Sequence, residues 1–205
     1  MRHDLLSRLK QETAACHSRL EQTLDLMRDG LQRDEYIALL ERFYGYVAPW
    51  EDTVGACLPA SLHAFFDERR KTSLLAADLV ALRGDPAAAE SIMIANARSL
   101  PPIDDLGSAF GSLYVMEGST LGGRFIAPHV AEQLGLAPGV GNAYFDGYGA
   151  RTGSMWNAFR EIAVSVVPET GYDAAVSAAI GTFESLQAWL CVESFDAPAI
   201  TGAAA

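Results

Sequence analysis

Apolar residues recur every three or four positions through much of the chain, which is the spacing of helices that bury one face. Near the amino end this stripe predicts a first helix of about seven turns, which Gly30 ends. A second helix is predicted to begin at Asp34, and Pro49 is expected to kink or break it. The stripe of the first helix consists of Leu6, Leu9, Thr13, Cys16, Leu20, Leu24 and Met27.

The rest of the chain continues the helical pattern, interrupted by glycine and proline. Residues 142–153 are rich in glycine and lack periodicity, so they are predicted to form an irregular loop. The alternating pattern of strands and repeats of fixed period are both absent from the sequence. We therefore expect an all-α fold, a single-domain multi-helix bundle over residues 1–205 with a disordered tail at 197–205. The further helical segments are 73–82, a short alanine-rich one at 86–96, 104–135, 155–167 and 180–190.

Composition and charge narrow the classes of function. The 205 residues are 50% hydrophobic and 20% charged, which is typical of one globular domain. Fifteen Lys and Arg against 26 Asp and Glu give a net charge of -11, which disfavours binding to nucleic acid. No apolar run approaches the roughly 18 to 20 residues of a membrane span, and the amino end lacks the apolar core of a signal peptide. We expect a cytoplasmic protein without a membrane partner.

Three glycines interrupt an otherwise helical apolar segment in the middle of the chain. Gly118, Gly122 and Gly123 each cost a helix about 1 kcal/mol relative to alanine. Gly118 and Gly122 are four residues apart, so they share one helix face that carries no β-carbon. One interpretation is close packing against a neighbouring helix. The other is a glycine ledge, formed by Gly118 and Gly122, on which a flat ligand lies.

A histidine on the first helix is the candidate partner of such a ligand. His17 lies one step off the apolar stripe, with Lys10 seven residues before it and Glu21 four residues after it along one strip of the helix. These residue types suit an iron porphyrin, since an imidazole coordinates iron, a carboxylate accepts the other ring proton and a cation binds a propionate. The alternative is that His17 is only a half-buried residue at the edge of the core.

Two blocks about a hundred residues apart resemble the proximal and distal helices of heme oxygenases, bacterial members most closely. The first block is LKQET at 9–13 with HSRLE at 17–21, and the second is LYVMEGSTLGG at 113–123. A third block, GSMWNAFR at 153–160, resembles the late helix that carries an arginine for a heme propionate. The resemblance spans residues 5 to about 190 and includes heme oxygenases that accompany bacteriophytochromes.

The resemblance implies a role for each matching residue. His17 would be the proximal iron ligand, and Glu21 would accept its free ring N–H. Lys10 and Arg160 would be the cations nearest the propionates. Tyr114, one turn before Gly118, would touch heme, although core packing explains it equally well. The distal helix would present Gly118 and Gly122, with Gly123 beside them.

The resemblance also implies the reaction, the oxidative cleavage of heme by O2 and external electrons to biliverdin, CO and Fe2+. Ser119 replaces an aspartate that many members use to anchor distal water, so it joins Gly118 and Gly122 as a catalytic candidate. Glu117 is expected on the outer face or beside an arginine. A ferredoxin or flavin reductase would supply electrons, and a bacteriophytochrome would receive the biliverdin. The alternatives are a non-catalytic heme-binding sensor or carrier, and a helical interaction protein whose glycines only pack helices.

Overall fold

A computed structural model describes residues 4–137 and 139–191, and within them the fold is all-α, as predicted. The predicted tail at 197–205 lies outside the described residues. None of the helices described is long and apolar enough to cross a membrane. The helices are α1 (Leu5–Leu24), α2 (Arg33–Cys57), α3 (His63–Asp67), α4 (Thr72–Arg83), α5 (Leu106–Leu134), α6 (Ala143–Asp146), α7 (Thr152–Val166) and α8 (Tyr172–Leu190).

Helix α8 is the common support of the two helices that carry the candidate site. It packs along α5 over most of its length and along α1 on another side, whereas α1 and α5 have little backbone contact with each other. The core between these helices is formed by fully buried side chains such as Leu9, Phe110 and Ala179. Burial of these apolar faces is the main source of stability of the bundle.

Helix α1 ends earlier than its apolar stripe predicts. Its last residue is Leu24, and Asp25 follows in the left-handed conformation with φ 40°, donating its N–H to Glu21 O at 3.0 Å. The predicted end at Gly30 is therefore wrong. Leu26 and Leu31 are both buried, so the chain leaves the helix at Asp25 and places them in the core by another path.

Helix α2 does not break at Pro49 but continues to Cys57. A proline has no N–H for the carbonyl four residues earlier, which here belongs to Gly45. That carbonyl accepts instead from Ala95 N at 2.8 Å. A neighbouring segment thus replaces the missing intrahelical hydrogen bond, which is why the helix passes the proline.

The same contact explains why the alanine-rich stretch 86–96 is not the short helix that its composition predicts. These residues form turns followed by extended backbone. The segment lies so close to α2 that a methyl group on Gly45 would overlap Met93 O. Hydrogen bonding across to α2 therefore outweighs the helix propensity of alanine.

The predicted loop at 142–153 contains α6 and the first residues of α7. Asp78 of α4 caps α6, since its carboxylate oxygens accept from Ala143 N and Tyr144 N at 2.8 Å each. The cap comes from 65 residues away in the sequence, so no local pattern could reveal it. The loop prediction is wrong for these residues.

Helix α5 runs unbroken through five glycines and Pro128, within the segment predicted at 104–135. Asp105 caps its start by accepting from Ser108 N at 2.7 Å, and Gly135 ends it with φ 63°. The predicted bounds of this helix are confirmed.

Candidate heme-binding site

The glycines of α5 fall into two groups according to what faces them. At Gly107, Gly111 and Gly123 an added methyl group would overlap a backbone carbonyl oxygen, which belongs to Gly171, Ala175 and Phe145 respectively. These three glycines allow the backbone of a neighbouring segment to approach α5. The interpretation of close packing therefore applies to them, and Gly123 packs against α6.

The two glycines of the ledge have room for a side chain. A methyl group at Gly118 would find its nearest neighbour, Cη2 of Trp156, at 3.8 Å, and one at Gly122 would find Cδ1 of Ile126 of the same helix, at 4.0 Å. Among the described residues no neighbouring backbone approaches this face, so close packing of helix backbones does not account for Gly118 and Gly122. The ledge instead leaves backbone without side chains over one turn of α5.

His17 and Glu21 lie together on the open side of α1. The nitrogen Nε2 of His17 is 3.3 Å from Oε1 of Glu21, and the two side chains are 54% and 64% exposed. The ring of Phe183, on α8, lies with its centroid 5.7 Å from that of the imidazole. His17 is thus held on two sides, yet one ring nitrogen remains free for another partner.

Aromatic residues flank the ledge where α7 meets α5. The rings of Tyr114 and Trp156 are 5.6 Å apart, and Trp156 is also the residue nearest to Gly118.

Burial raises the pKa of Tyr114, and the positive charge of Arg160 opposes that rise. Arg160 also helps to lower the pKa of Asp4 at the start of α1, after the stronger effect of the hydrogen bonds from Ser7.

Two exposed cations, Arg160 and Lys10, lie on α7 and α1. The guanidinium of Arg160 is exposed on α7, within electrostatic range of α1 through Asp4 and of α5 through Tyr114. Lys10 is exposed on α1, two turns before His17. Both cations are accessible to an anionic group that enters from solvent.

Ser119 is exposed, and its Oγ donates to Met116 O of its own helix at 2.8 Å. A hydroxyl that donates in this way keeps lone pairs that accept a hydrogen bond from water. Ser119 thus offers an acceptor but no fixed charge at the position where many heme oxygenases have an aspartate.

The sequence predicts Glu117 on the outer face or beside an arginine. In the structure its side chain is buried, with only 2% exposure. Its carboxylate accepts from Lys71 Nζ at 3.0 Å and lies 3.4 Å from Nε of Arg69. The expected arginine partner is thus present, and the expected exposure is wrong. Lys71 is 46 residues away, so the sequence offered no local signal for this pairing.

The structure thus forms two groups of predicted residues. Helix α1 brings His17 and Glu21 together, whereas α5 and α7 bring Tyr114 and the ledge beside Trp156. The aromatic contacts of Trp156 and Phe183 were not predicted, although helical spacing marks both as apolar positions. Both groups stand on helices that pack against α8, and α1 and α5 have little contact with each other.

A sequence model of the heme oxygenase family matches residues 3–191, which is nearly the whole chain. The chain belongs to the heme oxygenase family. Oxidative cleavage of heme is the activity of this family. A heme oxygenase of Xanthomonas campestris pv. campestris (strain 8004) is 30% identical over 118 residues, which cover 57% of this chain and 64% of that protein. This chain thus aligns with less than two thirds of its curated relative.

Solved structures of similar fold cover more of the chain. The heme oxygenase from Leptospira interrogans superposes with a TM-score of 0.70 at 18% identity, over 91% of this chain and 98% of that one. Heme oxygenase-1 from the cyanobacterium Synechocystis sp. PCC6803, solved in complex with heme, gives a TM-score of 0.73 at 17% identity, over 91% and 90% of the two chains. Together with the family match, these likenesses confirm the fold that the sequence predicts.

Proposed function

We propose that this chain binds heme between α1 and α5 and cleaves it with O2 and external electrons to biliverdin, CO and Fe2+. The observation that carries the proposal is the contrast among the glycines of α5. Three of them are filled by neighbouring backbone, whereas Gly118 and Gly122 leave a bare face on a helix that otherwise packs tightly. A face without β-carbons suits a flat ring, and the accessible imidazole of His17 suits iron.

The residues present fit a porphyrin in type and in accessibility. One ring nitrogen of His17 would bind the iron, and Glu21 would accept the N–H of the other, which orients the ring. Lys10 and Arg160 would bind the propionates. Exposed ion pairs of this kind contribute only ~0.2 to 1 kcal/mol each, so they orient the ligand. Burial of the apolar ring surface supplies most of the affinity.

Bound heme supplies both the redox-active iron and the ring that is oxidised. The protein contributes shape and protons. The ledge leaves room for O2 beside the edge of the ring, because no side chain projects from Gly118 or Gly122. Ser119 would accept a hydrogen bond from a water molecule near the ledge, since its own proton is donated to Met116 O. Tyr114 and Trp156 would border the ring on the side of α7.

The reaction requires electrons from another protein. A ferredoxin or a flavin reductase is the proposed donor, and a bacteriophytochrome is the proposed recipient of biliverdin. Both partners follow from the resemblance to bacterial heme oxygenases. The cytoplasmic location stays a prediction.

Substitution of His17 tests the proposal. In His17→Ala we expect heme affinity to fall at least ~10-fold and biliverdin formation to stop, because the iron loses its axial ligand. The imidazole is exposed, so unfolding of the apoprotein should change little. Ser18→Ala, at the adjacent exposed position of α1, is the matched control. The measurements are heme titration by absorption and product analysis with reductant and O2.

Two outcomes contradict the proposal. Spectra and turnover of His17→Ala that match those of the unmodified protein would remove His17 from the iron site. A Soret band that persists under reductant and O2 in the unmodified protein, without biliverdin, would show a heme-binding sensor or carrier instead.

A further inference from the structure

Behind the glycine ledge lies a group of buried charges that the reaction described above does not use. Glu117 immediately precedes Gly118 on α5, and at 100° per residue its side chain lies about 120° around the helix from the middle of the ledge. The ledge has room for side chains, whereas Glu117 is 2% exposed. The carboxylate is thus on the packed side of the same turn.

Two groups converge on one oxygen of this carboxylate and contact each other. Tyr148 OH donates to Oε1 of Glu117 at 2.6 Å, and Lys71 Nζ donates to the same oxygen at 3.0 Å. Lys71 Nζ is also 3.0 Å from Tyr148 OH and 4.5 Å from the centre of its ring. Tyr148 is held between Gly147 and Gly149, both with positive φ. The interaction ties α5 to the segments before α4 and after α6.

The other oxygen of Glu117 has no hydrogen-bond partner within the described residues. Oε2 of Glu117 and Nε of Arg69 are both buried and unpartnered, and they lie 3.4 Å apart. Both side chains line an enclosed cavity of about 10 Å³, together with Trp50 and Met116. A cavity of that size holds about one water molecule, and a buried polar pair of this kind is a site for one.

The charges of this group balance. Glu51, also buried, accepts from the backbone N–H of Lys71 and from Thr72 Oγ1 at 2.8 Å. The two buried cations, Arg69 and Lys71, both pair with Glu117, whereas Glu51 pairs with Arg70, at 3.7 Å from Nη1. Removal of one of these charges leaves another without its partner in a medium of low dielectric. The group is consequently a rigid attachment of α5 to its surroundings.

On the ligand side, the described residues make only loose contacts with the ledge turn. A β-carbon on Gly118 would have Trp156 at 3.8 Å, and one on Gly122 would have Ile126 of the same helix at 4.0 Å, so packing on this face constrains the rotation of the helix less than the buried charges do. We propose that Glu117, with Lys71, Tyr148 and one water held by Arg69, is the positioning residue that sets where the ledge stands relative to heme. The proposal rests on the proposed function.

Glu117→Gln tests this proposal because the amide has nearly the shape of the carboxylate but no charge. The control is Glu132→Gln, the same change at an exposed position of α5. The first measurement needs no heme: the ¹⁵N and ¹H amide shifts and the hydrogen exchange of Gly118 and Gly122 in the apoprotein. We expect Glu117→Gln to shift these amides and accelerate their exchange, and Glu132→Gln to leave them unchanged.

The second measurement uses the heme-loaded protein. A ledge that is displaced should lower kcat about 10- to 100-fold with little change in KM and should broaden the distribution of biliverdin isomers, because small misplacements of reacting groups have effects of this size. Tyr148→Phe removes the hydrogen bonds of the hydroxyl to Glu117, at 2.6 Å, and to Lys71, at 3.0 Å, and should change kcat and the isomers in the same direction by a smaller factor. Because it keeps the ion pair between Lys71 and Glu117, this variant serves where Glu117→Gln fails to fold.

The outcomes separate this proposal from the proposed function. Variants that melt at lower temperature but keep the two glycine amides, kcat and the biliverdin isomers unchanged would show a purely structural cluster and overturn the inference. Absence of heme turnover in the unmodified protein would contradict the proposed function. The comparison of the Gly118 and Gly122 amides in the apoproteins would still decide whether Glu117 positions the ledge.

Discussion

At the scale of single residues, one substitution is expected to have opposite effects at adjacent positions of α5. Gly122→Ala adds a methyl group where there is room for it and removes a flexible residue from a helix, so the unfolding free energy of the apoprotein should rise by about 0.5 to 1 kcal/mol. Gly123→Ala drives a methyl group into Phe145 O, so the unfolding free energy should fall by about 1 to 3 kcal/mol. Urea denaturation of both apoproteins measures the difference.

The same pair also separates stability from ligand binding. Gly122→Ala should weaken heme binding although it stabilises the apoprotein, since the added methyl group occupies the ledge. A heme titration of the stabilised variant checks this. If heme affinity is unchanged in Gly122→Ala, the ledge does not face the ligand.

The contacts of a single residue could be predicted when its partners lie close to it in the sequence, and not when they lie far away. His17 and Glu21 are four apart on one helix, so helical periodicity alone predicted that they meet. Glu117 meets Lys71 and Tyr148 across 46 and 31 residues, and neither distance leaves a periodic trace in the sequence. A buried carboxylate therefore looked like a surface charge.

At the scale of elements, α6 depends on a carboxylate that belongs to α4. Asp78 is buried and accepts from two backbone N–H groups at the start of α6. In Asp78→Asn the amide offers one acceptor oxygen for two donors. We expect the unfolding free energy at pH 7 to fall by about 1 to 3 kcal/mol, because a buried N–H loses its partner. Chemical denaturation measures this loss.

The pH dependence of this effect has an unusual sign. Burial raises the pKa of Asp78 above its ordinary value of 3.8, against the opposing hydrogen bonds from Tyr144 and Ala143. The folded state therefore binds a proton more tightly than the unfolded state, and stability from this group increases as the pH falls toward 3.8. The stability difference between the unmodified protein and Asp78→Asn should widen from pH 7 to pH 4. A difference that narrows would mean that the folded protein favours the ionised carboxylate.

Helices that pack along their whole length were easier to predict than those that depend on a remote contact. The stripe of α1 and the caps of α5 are local, and both helices follow from the sequence, although the end of α1 is predicted six residues too late. The continuation of α2 past Pro49 depends on Ala95, and the existence of α6 depends on Asp78. Local propensity carries no information on either contact.

At the scale of the whole molecule, the net charge of -11 governs encounters with an electron donor. An acidic ferredoxin is repelled at long range, and salt screens this repulsion as the Debye length falls from about 30 Å at 0.01 M to about 8 Å at 0.15 M. We expect the bimolecular rate of heme reduction by an acidic ferredoxin to rise with salt over this range. Stopped-flow reduction at several salt concentrations measures this rate. The control is reduction by an uncharged small-molecule electron donor.

A rate that falls with added salt would contradict this expectation. It would show that exposed cations such as Lys10 and Arg160 dominate docking locally, in spite of the net charge. The all-α architecture followed from helical periodicity and the absence of strand patterns in the sequence. The distribution of charge over the surface depends on how the helices pack, which periodicity does not describe.

The early end of α1 leaves His17, the proposed iron ligand, close to the end of its helix. Six residues lie between His17 and Leu24, and the carbonyl of Glu21 accepts from the N–H of the left-handed Asp25. Helix ends fray from the terminus inward, so Glu21 lies in the turn that opens first, ahead of the turn that carries the imidazole. Mild warming or dilute denaturant would thus separate the imidazole from its carboxylate while the bundle is still folded, and in the proposed complex the bond of His17 to iron would weaken before the protein melts.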